Sequence, residues 1–219
     1  MQVNNPRYLN QGMHVIVSVI SVSGGKLKVL LAKRKNAPYT DYWSLLGGAV
    51  YNDETLENAV KREIFEKSGI ENIEPMQYKL FSNPNRAKET GFRMLGIAYV
   101  VLVDESVISF TKQTEKTSDI DWFDINEVPT LAYDHNQVLN DSIDYLKQKI
   151  NSAKILKTLY PNDVTIPELQ SVYEIVLGEV LDRRNFRKKL LQDNIIVDTG
   201  REKPIFGKKP CKIYEINEK

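Results

Sequence analysis

Apolar residues follow two regimes along this chain. Up to about Lys149, short β-branched runs alternate with turn residues and a few helical stretches. Beyond it, apolar positions recur mainly at helical spacing before two final alternating runs. "MHVIVSVISV" and "KLKVLLAKR" flank Ser23, Gly24 and Gly25, which predicts a β-hairpin. "QYKLF", "FRMLGIAYVVLV" and "DIDWFDI" are further strand candidates, with "NPNRAKETG" as a loop between the first two. A helix opens after Thr55, a good N-cap, and stops at Gly69. A second helix follows Asp134, with Val138, Ile143, Leu146 and Ile150 on its apolar face. "NSAKILKTLYPNDV" begins something new. Pro167 then starts a helix that ends at Gly178. Its inward residues are Leu169, Val172, Tyr173 and the stretch from Ile175 to Leu177. Asp182 caps another, with Phe186, Leu190 and Leu191 inward. "IIVDT" and "CKIYEI" close the chain as two strands joined by "GREKPIFGKKP".

This pattern predicts an α+β chain in two parts, residues 1–150 and 151–219. A length of 219 residues suits one domain plus a smaller module. The apolar fraction of 42% and charged fraction of 27% are those of an ordinary soluble protein. The longest apolar run, Leu95 to Val103 with Gly96 inside it, is too short to span a membrane. The N-terminus has no basic-then-apolar leader pattern. Cys211 is the single cysteine, so no intramolecular disulfide forms, and a cytoplasmic location is expected.

The first helix carries the first chemistry. Its inward line starts at Leu56, Ala59 and Val60 and then reaches Glu63, Glu66 and Lys67, which share one patch. Most charge runs are solvated faces. This one continues an apolar line, where a charge needs a partner, a metal or a pocket. Carboxylates clustered beside a Gly47–Gly48 turn suit Mg²⁺ and a diphosphate.

The stretch resembles the Nudix box. Gly48, Glu54, Arg62, Glu63, Ile64, Glu66, Gly69 and Ile70 all fall on that pattern. The resemblance implies a Nudix fold, a mixed sheet between helices, with glutamates that gather divalent metal and an arginine that orients them. Lys67 departs from it at the second glutamate of the pair. An ammonium there removes an oxygen donor and repels Mg²⁺, while it can neutralise a bound phosphate. The expectation is a vestigial box with hydrolysis lost or much weakened. No cofactor is required, and Glu63 and Glu66 remain as donors for any Mg²⁺. The loop around "NPNRAKETG" resembles that of Nudix proteins handling ADP-ribose. Arg86 and Arg93 are therefore expected to grip a pyrophosphate, with Gly47, Gly48 and Lys67 beside it. Phe81, Tyr39 and Trp43 are candidate stacking surfaces for an adenine. For each residue a surface or structural role stands beside the functional one.

The C-terminal part hides a local excess of cations in a chain of net charge +1. At about 100° per residue, Arg184, Asn185 and Lys188 point away from the apolar side, flanked by Arg187 and Lys189. Lys203, Lys208 and Lys209 sit at the hairpin. Helix-turn-helix followed by a basic hairpin is a winged form, with the charge footprint of double-stranded DNA. The module resembles that of the Nudix-related transcriptional regulators, and with it the resemblance covers nearly the whole chain. It implies a homodimeric repressor on an inverted-repeat operator, responding to ADP-ribose or a related nucleotide-sugar and controlling NAD-metabolism genes. A pentose-responsive regulator of the same architecture remains open. So does an ADP-ribose pyrophosphatase with an accessory module, since Glu54, Arg62, Glu63 and Glu66 are retained. His14 and His135 lack companions for a metal site and default to structural or surface roles. Trp122 is expected in the core, and Cys211 as a small filler on a wing strand.

Overall fold

The computed structural model describes residues 11–105, 117–205 and 208–218. β1 (Gln11–Ser23) and β2 (Lys26–Arg34) form the expected hairpin. Gly24 and Gly25 turn it at φ 58° and 76°, a conformation that β-branched residues resist. β3 (Trp43–Ser44), β4 (Leu46–Ala49), β5 (Met76–Phe81), β6 (Arg93–Leu102) and β7 (Thr117–Asp124) complete a seven-stranded mixed sheet. Its main order is β3-β2-β1-β6-β5, with β4 paired to β1 and β7 to β2. β1 and β6 run parallel from Gln11 opposite Arg93 to Ile20 opposite Leu102.

β1 is buried without interruption from Val15 to Ser21 because both faces of the sheet are covered. One face packs Val15, Val17 and Val19 against Ala59, Val60 and Ile64 of α1 (Leu56–Ser68). Thr55 Oγ1 accepts from the Asn58 N–H at 3.2 Å, and Gly69 ends the helix at φ 76°. The other face packs Ile16, Val29 and Leu31 against Val138 and Leu139 of α2 (His135–Lys149). Asp134 stands at the N-cap of α2 but makes no capping bond. Its carboxylate is drawn instead to Arg86.

Beyond α2 come α3 (Ala153–Leu159), β8 (Val164–Thr165), α4 (Ile166–Leu177), α5 (Arg183–Gln192), β9 (Ile196–Ile205) and β10 (Lys208–Ile216). Thr165 and Glu168 close a capping box on α4, and Gly178 stops it at φ 74°. β8, β10 and β9 make a three-stranded sheet, so the wing rests on a third strand too short to show in the pattern. β9 and β10 are longer than "IIVDT" and "CKIYEI", because register shifts between Lys208 and Tyr214 absorb the irregularity around Pro210.

The two parts share one core. Ile20, Leu27, Met76, Val100 and Leu102 of the large sheet cluster with Leu146 and Ile150 of α2 and with Leu156, Leu169, Val172 and Tyr173 beyond it. The Tyr173 hydroxyl also donates to the Ile150 carbonyl at 3.4 Å across the expected boundary. At about 1.5–3 kcal/mol for each fully buried aliphatic side chain, this junction holds the two parts in fixed relation.

Candidate functional site

α1 brings its charged residues together as an interlocked network. Arg62 donates from Nη2 and Nε to the two Glu54 oxygens at 2.6 and 2.9 Å, and from Nη1 to Glu63 Oε1 at 2.7 Å. It also donates to the Ala49 carbonyl at 2.8 Å and lies 3.8 Å from the centre of the Tyr51 ring. These bonds hold the Glu54 carboxyl down to about 2, with help from the Tyr51 N–H. The same carboxylates push the Arg62 guanidinium up. Glu63 is 1% exposed. Its carboxylate fills the space beside Gly48 that any Cβ at that position would occupy.

Lys67 completes the network. Its Nζ is 3.1 Å from Glu63 Oε2 and donates to the Gly47 carbonyl. Gly47 turns at φ 149°, where a side chain would strike the Val15 carbonyl, so only glycine aims its oxygen at that ammonium. Glu66 departs from the expected inward line. Its side chain is 39% exposed, and Arg62 Nη1 stands 3.6 Å away. Among the described residues no cluster of three metal-ligating side chains forms. Glu63 is satisfied by two cations and Glu66 turns outward, so these residues do not fit a divalent metal as placed.

A cavity of about 170 Å³ opens beside this network. Gly47, Gly48 and Lys67 line one part of its wall, and His14, Arg34, Tyr133 and His135 another. Sequence reading assigned neither histidine to a site. Both are held neutral, His14 lowered to about 3 by burial and then by the Arg86 and Lys67 charges. His135 is lowered mainly by burial, with His14 and Arg86 adding. The hydrogen bonds fix the tautomers: Arg86 Nη1 approaches His14 Nε2 at 2.7 Å, and the Leu45 N–H donates to His135 Nδ1 at 3.1 Å. Tyr133 is gripped by Arg34, 5.1 Å from its ring centre, and by Tyr39 at 4.7 Å. Ala87 and Tyr133, both on the cavity wall, have positive φ, as do Tyr39 and Asp41 nearby. Such conformations cost about 1–3 kcal/mol each and gather where function demands them.

The other effector candidates are placed differently. Arg86 is 5% exposed and faces inward, with Nε and Nη2 on the Asp134 carboxylate at 2.7 and 3.0 Å. A guanidinium so engaged braces the wall beside the cavity. Arg93 lies exposed at the start of β6. Phe81 is 7% exposed in the core under Lys79, and Trp43 packs on Phe123 at 4.8 Å. Neither ring lines the cavity. Of the three aromatic candidates only Tyr39 stands by the cavity.

In the C-terminal module, Phe186 and Leu190 bury one side of α5 while Arg183, Arg184, Asn185, Arg187, Lys188 and Lys189 are exposed. No carboxylate among the described residues comes within ion-pair distance of Arg184, Lys188 or Lys189. Arg187 leans back, donating from Nε to the Tyr214 hydroxyl at 2.8 Å. On the wing, Lys203 stands 3.4 Å from Glu168 and Lys212 2.8 Å from Asp198. Lys209 is exposed, and the side chain of Lys208 lies outside the described residues. No helix among the described residues is long and apolar enough to cross a membrane.

Comparison with known proteins bears on both parts. The NUDIX domain model matches residues 12–144, and the NrtR DNA-binding winged helix domain model matches residues 155–216. An ADPR responsive transcriptional repressor NtrR of Acinetobacter baylyi is 28% identical over 219 residues, 98% of this chain and 86% of that protein. Shewanella oneidensis NrtR, solved in complex with a 27mer DNA, superposes with a TM-score of 0.74 at 27% identity over 94% of each chain. The NUDIX domain of the same protein, solved with ADP ribose, superposes with a TM-score of 0.57 at 26% identity over 65% of this chain and 93% of that one. The chain belongs to the Nudix family and joins its Nudix domain to a winged helix of the NrtR DNA-binding type.

Proposed function

We propose that this chain is a DNA-binding transcriptional repressor whose Nudix domain senses ADP-ribose without a metal and without hydrolysing it. The observation that carries the reading is Lys67. Its ammonium is paired with Glu63 and bonded to the Gly47 carbonyl, so the cation the box needs is already part of the chain. Tethered beside the cavity, it offers a positive charge to a diphosphate at no cost in metal binding. The likeness to an ADPR responsive repressor over nearly the whole chain supports ADP-ribose over a free sugar.

The route from effector to DNA runs along α2. Its first turn supplies His135 to the cavity and Asp134 to Arg86. Its last turn supplies Leu146 and Ile150 to the core shared with α4. A ligand that shifts the first turn also moves the last turn against α4. Coupling of this kind amounts to about 1–3 kcal/mol. The reading includes a cytoplasmic homodimer, in which two copies of α5 would meet the two halves of an inverted repeat.

Calorimetry with ADP-ribose, in chelator and then in Mg²⁺, tests this. Equal affinity in both, with intact nucleotide recovered afterwards, is expected. Binding only with Mg²⁺, together with release of AMP, would establish the pyrophosphatase instead. Binding of a free pentose and not of ADP-ribose would establish the sugar regulator.

A further inference from the structure

A second concavity, of about 360 Å³, lies at the junction of the two parts, between α2, α4 and α5. It shares no lining residue with the cavity beside Lys67. Ile150, Tyr173, Leu177, Phe186, Leu190 and Ile195 give it an apolar lining. Tyr173 and Phe186 meet edge to face with ring centres 4.9 Å apart, so that lining is aromatic as well as aliphatic. The Tyr173 hydroxyl is already bonded to Asn151 Oδ1 at 2.9 Å and makes no polar demand on an occupant. Mostly apolar pockets of this size, set at a domain junction with a few charged groups, suit small organic molecules.

The charges around the lining are sorted along α5. Glu179 and Asp182 stand at the turn that leads into the helix, and Asp182 accepts from the Asn185 N–H at 2.9 Å. Lys189 lines the cleft two helical turns beyond Asp182, about 10 Å along the axis. Lys147 joins the lining from the last turn of α2. Among the described residues, neither lysine has a carboxylate within ion-pair distance.

We infer that this cleft binds a small aromatic carboxylate, with its ring on the apolar lining and its charge at Lys189 and Lys147. Each ammonium makes charge-assisted hydrogen bonds to such a group. Glu179 and Asp182 repel an anion from the other end of α5 and so set its direction. A nucleotide would press its ribose and phosphates onto aliphatic side chains, and an organic cation would lose both lysine contacts. The inference goes beyond the ADP-ribose reading and does not rest on it. The lining comes from α2 on one side and from α4 and α5 on the other, so an occupant bears on both parts of the chain at once.

Naphthoate is the probe, titrated into the full chain by calorimetry. Naphthylmethylamine, a cation on the same ring system, is the comparison. Naphthoate is expected to bind saturably, and the amine severalfold more weakly. Lys189→Gln and Lys147→Gln should each weaken naphthoate binding severalfold. Lys188→Gln removes the same charge from the neighbouring exposed position, outside the cleft, and should leave binding unchanged. Exposed lysines tolerate such changes, and thermal melting checks that each variant is folded. No saturable naphthoate binding up to millimolar concentration would overturn the site. So would an amine that binds as tightly as naphthoate, or equal effects of Lys188→Gln and Lys189→Gln.

Discussion

Arginine and lysine do opposite work at the two ends of this molecule. On α1, Arg62 and Lys67 turn inward and are held by Glu54, Glu63 and the Gly47 carbonyl. On α5, Arg184, Lys188 and Lys189 turn outward, and no described carboxylate pairs with them. The difference lies in what each helix packs against. α1 lays its charged line over the Gly47–Gly48 turn, where a buried carboxylate leaves no stable alternative to pairing. α5 buries only Phe186 and Leu190, which frees the rest of its surface for a partner that carries the missing anions.

Substitution at the two ends should therefore differ most in stability. Arg62→Met strips Glu63 of a partner at 1% exposure and is expected to cost about 3–5 kcal/mol, read as a lower urea midpoint. Arg86→Met, which leaves Asp134 facing the cavity wall alone, should cost a similar amount. Lys188→Met should change stability by no more than about 0.5 kcal/mol. Equal losses at Arg62 and Lys188 would erase the distinction.

Acid should unfasten the Nudix end next. His14 and His135 have lowered pKa values in the folded state, so the unfolded chain binds more protons between about pH 3 and 6.5. Their contribution to stability is full above pH 6.5 and declines as the pH falls, by at most about 1.4 kcal/mol per pH unit for each histidine. Glu54, held at about 2 by Arg62, keeps its charge until the pH falls below the ordinary carboxylate range. Urea midpoints at pH 7 and pH 5 check this. His14→Gln should flatten the pH dependence, and an unchanged profile would place His14 outside it.

Much of the charged helix was legible because spacing alone fixes which side of a helix a residue occupies. Thr55, Gly69, Glu63 and Lys67 fall where the pattern puts them. The cavity was not legible. His14, Arg34, Tyr133 and His135 come from β1, β2 and the entry to α2, and only the sheet order unites them. Arg86 shows the other limit. A loop arginine looks available until the fold brings Asp134 to it from 48 residues away. The shared core was hidden for the same reason, since Leu146 and Ile150 look alike whether they close one domain or join two. On the wing, cations were visible, but their pairing with Glu168 and Asp198 depended on registers that no local pattern encodes.

The DNA end should show smaller, separable effects. Arg184→Ala is expected to cost about 1–3 kcal/mol of operator affinity and to relax preference at particular base pairs. Lys203→Gln, already near Glu168, should weaken all sequences alike and reduce the salt slope by about one charge at most. Anisotropy titrations at two salt concentrations, on operator and scrambled duplexes, distinguish the two. Identical behaviour of both variants would remove base reading from α5.

The most direct test joins the two ends. Fluorescence anisotropy would follow the full chain on an inverted repeat from its own upstream region, in chelator, with and without ADP-ribose. A paired nucleotide assay would run on the same samples. The account predicts that ADP-ribose weakens DNA binding by about 1–3 kcal/mol with no metal present and is recovered intact. DNA affinity that ignores ADP-ribose, or responds only when Mg²⁺ is added and the nucleotide is cleaved, would contradict it.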